Sequence, residues 1–276
     1  MGWSSGKVFA SALAVIAAAA LTMPPGRAAD AIAACAEASA LWARVEAVGA
    51  RDGITIRLAD GREVRLAGVI AANDLDADAE AVERATRALD QAVAGRRLAL
   101  HGRAESQDRY GRLIAQVAIE GDETSWVQAA LVAAGMLRVA PAAGEPACAK
   151  ALIVHERAAR SAHAGLWALS RFAVQDADAI AALAAASGRY AIVEGTVRRI
   201  GEAGGRLFLD FGRRYSEDFT VIIPRDARAA FTAAGVNLKA LTGKRVRARG
   251  ILVSWGGPAV EVKLPVALEL LDRDGA

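Results

Sequence analysis

Two arginines sit in segments suited to anion chemistry. Arg65 opens Arg65-Leu66-Ala67-Gly68-Val69-Ile70-Ala71-Ala72-Asn73, and Arg112 closes Asp108-Arg109-Tyr110-Gly111-Arg112. A guanidinium is planar and permanently charged, and it offers phosphate oxygens two parallel hydrogen bonds. Arg109, beside Tyr110, is a third candidate for the same patch. Cleaving a phosphodiester needs more than cations: it needs an attacking water and a base or metal to activate it. The nearby carboxylates are Asp52, which precedes Ile54, and the group Asp74, Asp76 and Asp78, which follows Asn73. That group reads first as a solvated acidic loop leading into a helix N-terminus, where negative charge is favourable. Its second reading is a displaced catalytic carboxylate. The plain alternatives for the arginines stay open: Arg65 as a surface residue on a strand, Arg112 as a residue held by turn geometry.

Other chemistry is sparse. His155 and His163 are eight apart on one expected helix, which misses the four-residue spacing of paired zinc ligands, and His101 is isolated. No Ser-His-Asp arrangement or phosphate-binding glycine loop appears. The two cysteines, Cys35 and Cys148, lack CxxC or His-Cys spacing, which argues against a metal site. An even pair in an exported chain implies one disulfide, stabilising by on the order of 4 kcal/mol through its long loop. Two free buried thiols are the alternative.

Export is itself an expectation from the first residues. Lys7 precedes an apolar run of about 15 residues ending at Met23, Pro24-Pro25-Gly26 breaks it, and small residues near Ala28 and Ala29 offer a cleavage point. The run is shorter than the roughly 20 residues a membrane-crossing helix needs, although a retained anchor remains the alternative. Residues 1–29 are therefore read as a signal peptide, and the mature chain as periplasmic or secreted, with no membrane span. The chain has 276 residues, 54% of them hydrophobic, enough for two modest cores. From Arg189 to Ala276 there are 15 Lys/Arg against 10 Asp/Glu, a modestly basic C-terminal half. Arg198, Arg199, Arg213, Arg214, Lys244, Arg245, Arg247 and Arg249 there suggest a polyanion groove, with Phe208, Phe211, Tyr215, Phe219 and Trp255 as stacking candidates. Core packing of those aromatics is the competing reading.

The elements that position these residues alternate as strands. A short helix is expected around Ala31–Leu41, then strands over Trp42–Val48, Ile54–Leu58 and Val64–Gly68, with Asp60-Gly61 as a hairpin turn. A helix spans about Ala77–Ala94, then strands Arg97–His101 and Leu113–Ile119. Thr124 or Ser125 is expected to cap a helix through Ala134, and Pro146 to open one reaching Gly165. An alanine-rich surface helix, Ala179–Ala186, lies in a linker. Strands Ala191–Ile200, Arg206–Phe211, Phe219–Ile223, Lys244–Val253 and Ala259–Val266 follow, with a helix Asp226–Ala234. The implied fold class is mainly β with helices (α+β): a five-stranded oligonucleotide/oligosaccharide-binding barrel, then a second, smaller barrel of the same general type. The domain expectation is a signal peptide over 1–29, a first domain over 30–168, a linker over 169–188 and a C-terminal barrel over 189–272.

From Trp42 to Trp167 the chain resembles the staphylococcal nuclease (thermonuclease) family. The resemblance rests on Arg65-Leu66-Ala67-Gly68, on Tyr110-Gly111-Arg112 and on the closing Gly165-Leu166-Trp167. It implies that Arg65 and Arg112 face phosphate. It also exposes departures. The family's Asp-Gly-Asp-Thr corresponds to Asp52-Gly53-Ile54-Thr55, so one calcium aspartate falls on Ile54. The second falls on Ile70, and the glutamate that activates water falls on Asn73. Isoleucine offers calcium no side-chain oxygen, and asparagine is no base at neutral pH. The resemblance thus implies a nuclease-like protein without its calcium, with no other cofactor, binding an anionic ligand such as nucleic acid phosphate. The alternatives are an active metal-dependent phosphodiesterase using displaced carboxylates such as Asp74 or Asp76, and a periplasmic scaffold that binds protein.

Overall fold

The computed structural model describes residues 35, 39–73, 76, 78–141, 145–212, 214 and 217–271. The expected signal peptide, and most of the helix expected around 31–41, lie outside the described residues. No helix among them is long and apolar enough to cross a membrane.

The first unit is organised by one long strand, β1 (Leu41–Asp52). Its second half pairs antiparallel with β2 (Thr55–Leu58) and its first half with β5 (Arg97–His101). The expected turn at Asp60-Gly61, with Gly61 at φ 84°, leads into β3 (Glu63–Leu66), which lies antiparallel to β2. β3 also runs parallel to β6 (Leu113–Ile119), and β6 is antiparallel to β5. Hydrogen bonding therefore passes through β1, β2, β3, β6 and β5 and returns to β1. Strand alternation sends Ile56, Leu58, Val64, Leu66, Leu98, Leu100, Leu113 and Val117 into one core. Between β3 and β5 the chain makes the short β4 (Val69–Ile70) and then α1 (Ala79–Val93). Helix α1 buries Ala81, Ala85, Leu89 and Val93, spaced four apart on one face, and the Asp78 side chain caps its N-terminus by accepting from the Ala81 N–H.

The expected cap at Thr124 or Ser125 does not form. Residues Asp122–Trp126 are instead β7, returning along β6 after a turn at Gly121, so that Trp126 precedes α2 (Val127–Ala133) without a side-chain cap. Strand β8 (Arg138–Val139) pairs with β4, and α3 (Pro146–Ser161) follows. Helix α3 stops short of Gly165: His163 and Gly165 both adopt positive φ, and a 3-10 turn spans Gly165–Ala168. Cys35 and Cys148 are disulfide-bonded, tying the chain before β1 to α3 as expected. Such a bond suggests a non-cytoplasmic environment.

In the second unit, β9 (Gln175–Asp176) and α4 (Ile180–Ala185) precede β10 (Tyr190–Thr196). The expected strand Ala191–Ile200 is two strands. After Thr196 the Val197 N–H turns to Lys244 O and the Arg198 N–H to Asp210 O, so β11 (Arg199–Ala203) takes a new neighbour, β12 (Arg206–Asp210). Strand β13 (Thr220–Ile223) pairs with β12, and α5 (Arg228–Ala233) is inserted before β14 (Arg245–Trp255) and β15 (Gly257–Glu261). The expected last strand to Val266 ends at Glu261; Pro265 opens a 3-10 turn leading to β16 (Leu268–Leu270), which pairs with β14.

The two units repeat one connectivity. In each, the strand before an inserted helix pairs in parallel with a later strand, β3 with β6 and β13 with β15. The strand after that helix is antiparallel to two others, β5 to β1 and β6, and β14 to β10 and β15. The result is a mixed α/β chain of many strands and few helices, consistent with an oligonucleotide-binding-like fold for the first unit.

Candidate anion site

Arg65 stands on β3 between Thr55 of β2 and Ile114 of β6. It is half-buried and makes no hydrogen bond or ion pair among the described residues. Burial first, and then the like charge of Arg112, push its guanidinium below the ordinary arginine value, while Asp108 and Asp52 pull the other way. An arginine so perturbed still stays cationic at neutral pH.

Arg112 is anchored. Its Nε and Nη2 each lie 2.7 Å from Asp108 Oδ2, and its Nη1 donates to Thr55 Oγ1 at 3.1 Å. Asp108 Oδ1 accepts from the backbone N–H groups of Tyr110, at 2.9 Å, and Arg112, at 3.1 Å, closing the turn in which Gly111 takes φ 77°. Burial would raise the Asp108 carboxyl, but the Arg112 guanidinium and these N–H groups hold it below the usual aspartate range. One carboxylate therefore serves Arg112 and the turn, and Arg65 forms no salt bridge among the described residues, although the charges of Asp108 and Asp52 reach it. Tyr110 is 68% exposed, with the Arg109 guanidinium 4.9 Å and the Arg112 guanidinium 5.3 Å from its ring centroid. Arg109, Tyr110 and Arg112 thus lie together on one surface.

The three positions where the resemblance places family carboxylates have other uses. Ile54 packs against the first core. Ile70, on β4, packs against Ala159, Trp167, Tyr190 and Ile192, the last two from the second unit. Asn73 is half-buried, and its N–H donates to Asp76 Oδ2 at 3.0 Å. Of the acidic group, Asp76 is 4% exposed and faces Arg138, 3.5 Å away, and Asp78 caps α1. Asp74 lies outside the described residues. Calcium requires several oxygen ligands. Ile54 and Ile70 supply none from their side chains, and no three His, Cys, Asp or Glu converge among the described residues.

Sequence reasoning missed the charged junction between the units. Arg138 is buried on β8, donates to Tyr190 O at 2.8 Å, and stacks 4.8 Å from the Phe172 centroid. Tyr190 Oη donates to Val139 O at 2.6 Å. Glu156 of α3 accepts the Val139 N–H at 2.7 Å and binds Arg160 and Arg249, while Arg249 also binds Glu269. The only sequence signal was a charge inside the apolar run Leu137-Arg138-Val139.

The junction also corrects the polyanion groove. Arg249 is fully buried against Glu156 and Glu269, and Arg245 and Arg247 both pair with Glu194. Arg199 pairs with Asp210 and Arg214 with Glu217, and Lys244 also has a partner. Arg198 is exposed. Phe208, Phe211 and Phe219 are buried, so core packing wins for them, whereas Trp255 is exposed. Arg213 and Tyr215 lie outside the described residues. The histidines do not converge: His101 Nδ1 lies 3.3 Å from Ser39 O, and His155 is buried on α3, where burial pushes its ring below the usual histidine value.

No curated protein matches the chain. Residues 63–169 match the family described as staphylococcal nuclease homologue, a stretch that holds both arginine segments.

Proposed function

We propose that this is an exported thermonuclease-type protein, periplasmic or secreted, whose first barrel captures an anionic ligand, nucleic acid phosphate in the first place, without calcium-dependent hydrolysis. Arg65 carries the reading. It is a half-buried cation beside a second arginine, and its side chain makes no hydrogen bond or salt bridge among the described residues. A phosphate bridging Arg65 and Arg112 would give Arg65 the charge-assisted hydrogen bonds it lacks. Arg109 and the exposed Tyr110 extend the same surface for a neighbouring phosphate or base. Catalytic impairment follows from the family correspondence of Ile54, Ile70 and Asn73; losing a general base alone costs about 10²–10⁴-fold.

The test incubates the protein and an Arg65→Ala/Arg112→Ala variant with labelled single-stranded DNA and RNA, with calcium and with EDTA. Salt-sensitive binding that the variant loses, without cleavage, supports the proposal. EDTA-sensitive cleavage lost in the variant would replace it with an active phosphodiesterase, and absence of binding would leave a protein-binding scaffold.

A further inference from the structure

Most cations of the second unit are neutralised within the fold, but Arg206 and Arg225 are exposed and make no ion pair or hydrogen bond among the described residues. They belong to neighbouring segments. Arg206 begins β12, and its guanidinium lies 5.3 Å from the Trp255 ring centroid at the β14–β15 turn. The stem of Arg225 lies along Gly205: a Cβ built there would stand 3.0 Å from Arg225 Cδ, and Gly205 has φ 78°. Trp255 remains 43% exposed beneath Arg206. On the same face of β14, at alternating positions, Val253 and Ile251 are also exposed.

Nearby charges leave the patch positive. Arg228 and Lys239 share one carboxylate, Glu202, and Lys263 is paired with Glu261 and lies near Asp226. An exposed indole beneath the Arg206 guanidinium, with Arg225 along the adjoining Gly205 and an apolar stripe beyond, offers stacking for bases and charge for the phosphates between them. A protein partner would use the stripe but leave the two arginines uncompensated unless it were acidic there.

We propose that Trp255, Arg206 and Arg225 form a stacking platform for single-stranded nucleic acid, with Val253 and Ile251 extending it along β14. It is a second surface and does not depend on Arg65 or Arg112. Duplex DNA, whose bases are already stacked, should bind it more weakly.

The test measures anisotropy of labelled oligo-dT, about 15 nucleotides long, against the full chain over a range of salt. Trp255→Ala should weaken binding roughly 5- to 150-fold, and Trp255→Phe should recover most of it. Arg206→Ala/Arg225→Ala should lower the slope of log affinity against log salt by up to about 1.4, or roughly 0.7 for each phosphate contact on a single strand. All three sites are exposed, and circular dichroism checks that the variants fold. Wild-type affinity in both alanine variants at every salt, or no binding by the wild type at low salt, overturns the platform. The Arg65→Ala/Arg112→Ala variant separates the two surfaces. If it binds oligo-dT like wild type while Trp255→Ala does not, the platform stands and the first site fails; the reverse result fails the platform alone.

Discussion

Replacing Arg249 by methionine should loosen the whole molecule. Arg249 is fully buried, with Nη1 2.7 Å from Glu156 Oε2 and 3.3 Å from Val139 O, and Nη2 bound to Glu269. Burial opposes its charge, but Glu156, Tyr190 and Glu269 hold the guanidinium above its ordinary value. Removing one member of a buried ion cluster costs about 3–5 kcal/mol, because the remaining charge is stranded away from water. The lower end applies here. Glu156 keeps the Val139 N–H and Arg160, and Glu269 keeps Arg157 at 3.0 Å. For a chain of this size, about 3 kcal/mol lowers Tm by roughly 6–12 °C. Urea unfolding followed by circular dichroism measures the loss, and removing all three charges together (Arg249→Met/Glu156→Gln/Glu269→Gln) should recover much of it.

The same cluster sets a sign for pH. Burial would raise Glu269, but Arg249 and Arg157 hold its carboxyl below the usual glutamate value. Its contribution is therefore complete above that ordinary value, about 4.3, and is lost as pH falls through the lower folded value. Arg249→Met should shrink this acid-side loss. A variant within 1 kcal/mol of wild type, with an unchanged acid limb, would refute a buried ionic junction between the units.

Other outcomes follow from the same contacts. Ile54→Asp/Ile70→Asp/Asn73→Glu should not create a calcium site, because residue 70 faces Tyr190 and Trp167 and pairs across β8 with Arg138; differential scanning fluorimetry should show no calcium-dependent rise in Tm, and a rise reversed by EDTA would contradict this. Cys35→Ser/Cys148→Ser, which opens a loop of sequence separation 113, should cost about 4–5 kcal/mol in denaturant unfolding; a loss under 1 kcal/mol would count against the bond. Burial depresses His155, so stability should be full above the usual histidine value of about 6.5 and fall as pH drops towards the lower folded value. His155→Leu should flatten that limb, and an unchanged limb would place the titration elsewhere.

The sequence carried the first unit well because its signals are local. Alternation from Ile54 to Leu66 around Asp60-Gly61 fixes a hairpin, and four-residue spacing of small apolar residues fixes α1. Misreadings arose where a distant partner decided the outcome. Ser125 looks like a cap, but β6 takes its segment into a strand. Arg247 and Arg249 alternate away from their own core, as an exposed strand would; that outward side is where α3 brings Glu156. Ile70 gave no hint that Tyr190 and Ile192 would cover it. The repeat between units lies in strand pairing rather than residue identity, so no sequence comparison of the halves reveals it. Within the candidate site, the Asp108 turn and the Arg109–Tyr110–Arg112 cluster follow from neighbouring residues, whereas the lack of a salt bridge at Arg65 among the described residues depends on Asp108 being taken by Arg112.

The central claim is that Arg65 is an anion-binding group, and Arg65→Ala measures it most directly. Affinity for a labelled single-stranded oligonucleotide is followed over a range of salt in wild type and variant, without added metal. The account predicts weaker binding and a slope in log salt smaller by about 0.7, the signature of one lost phosphate contact. Equal affinity and equal slope in the two proteins would contradict it.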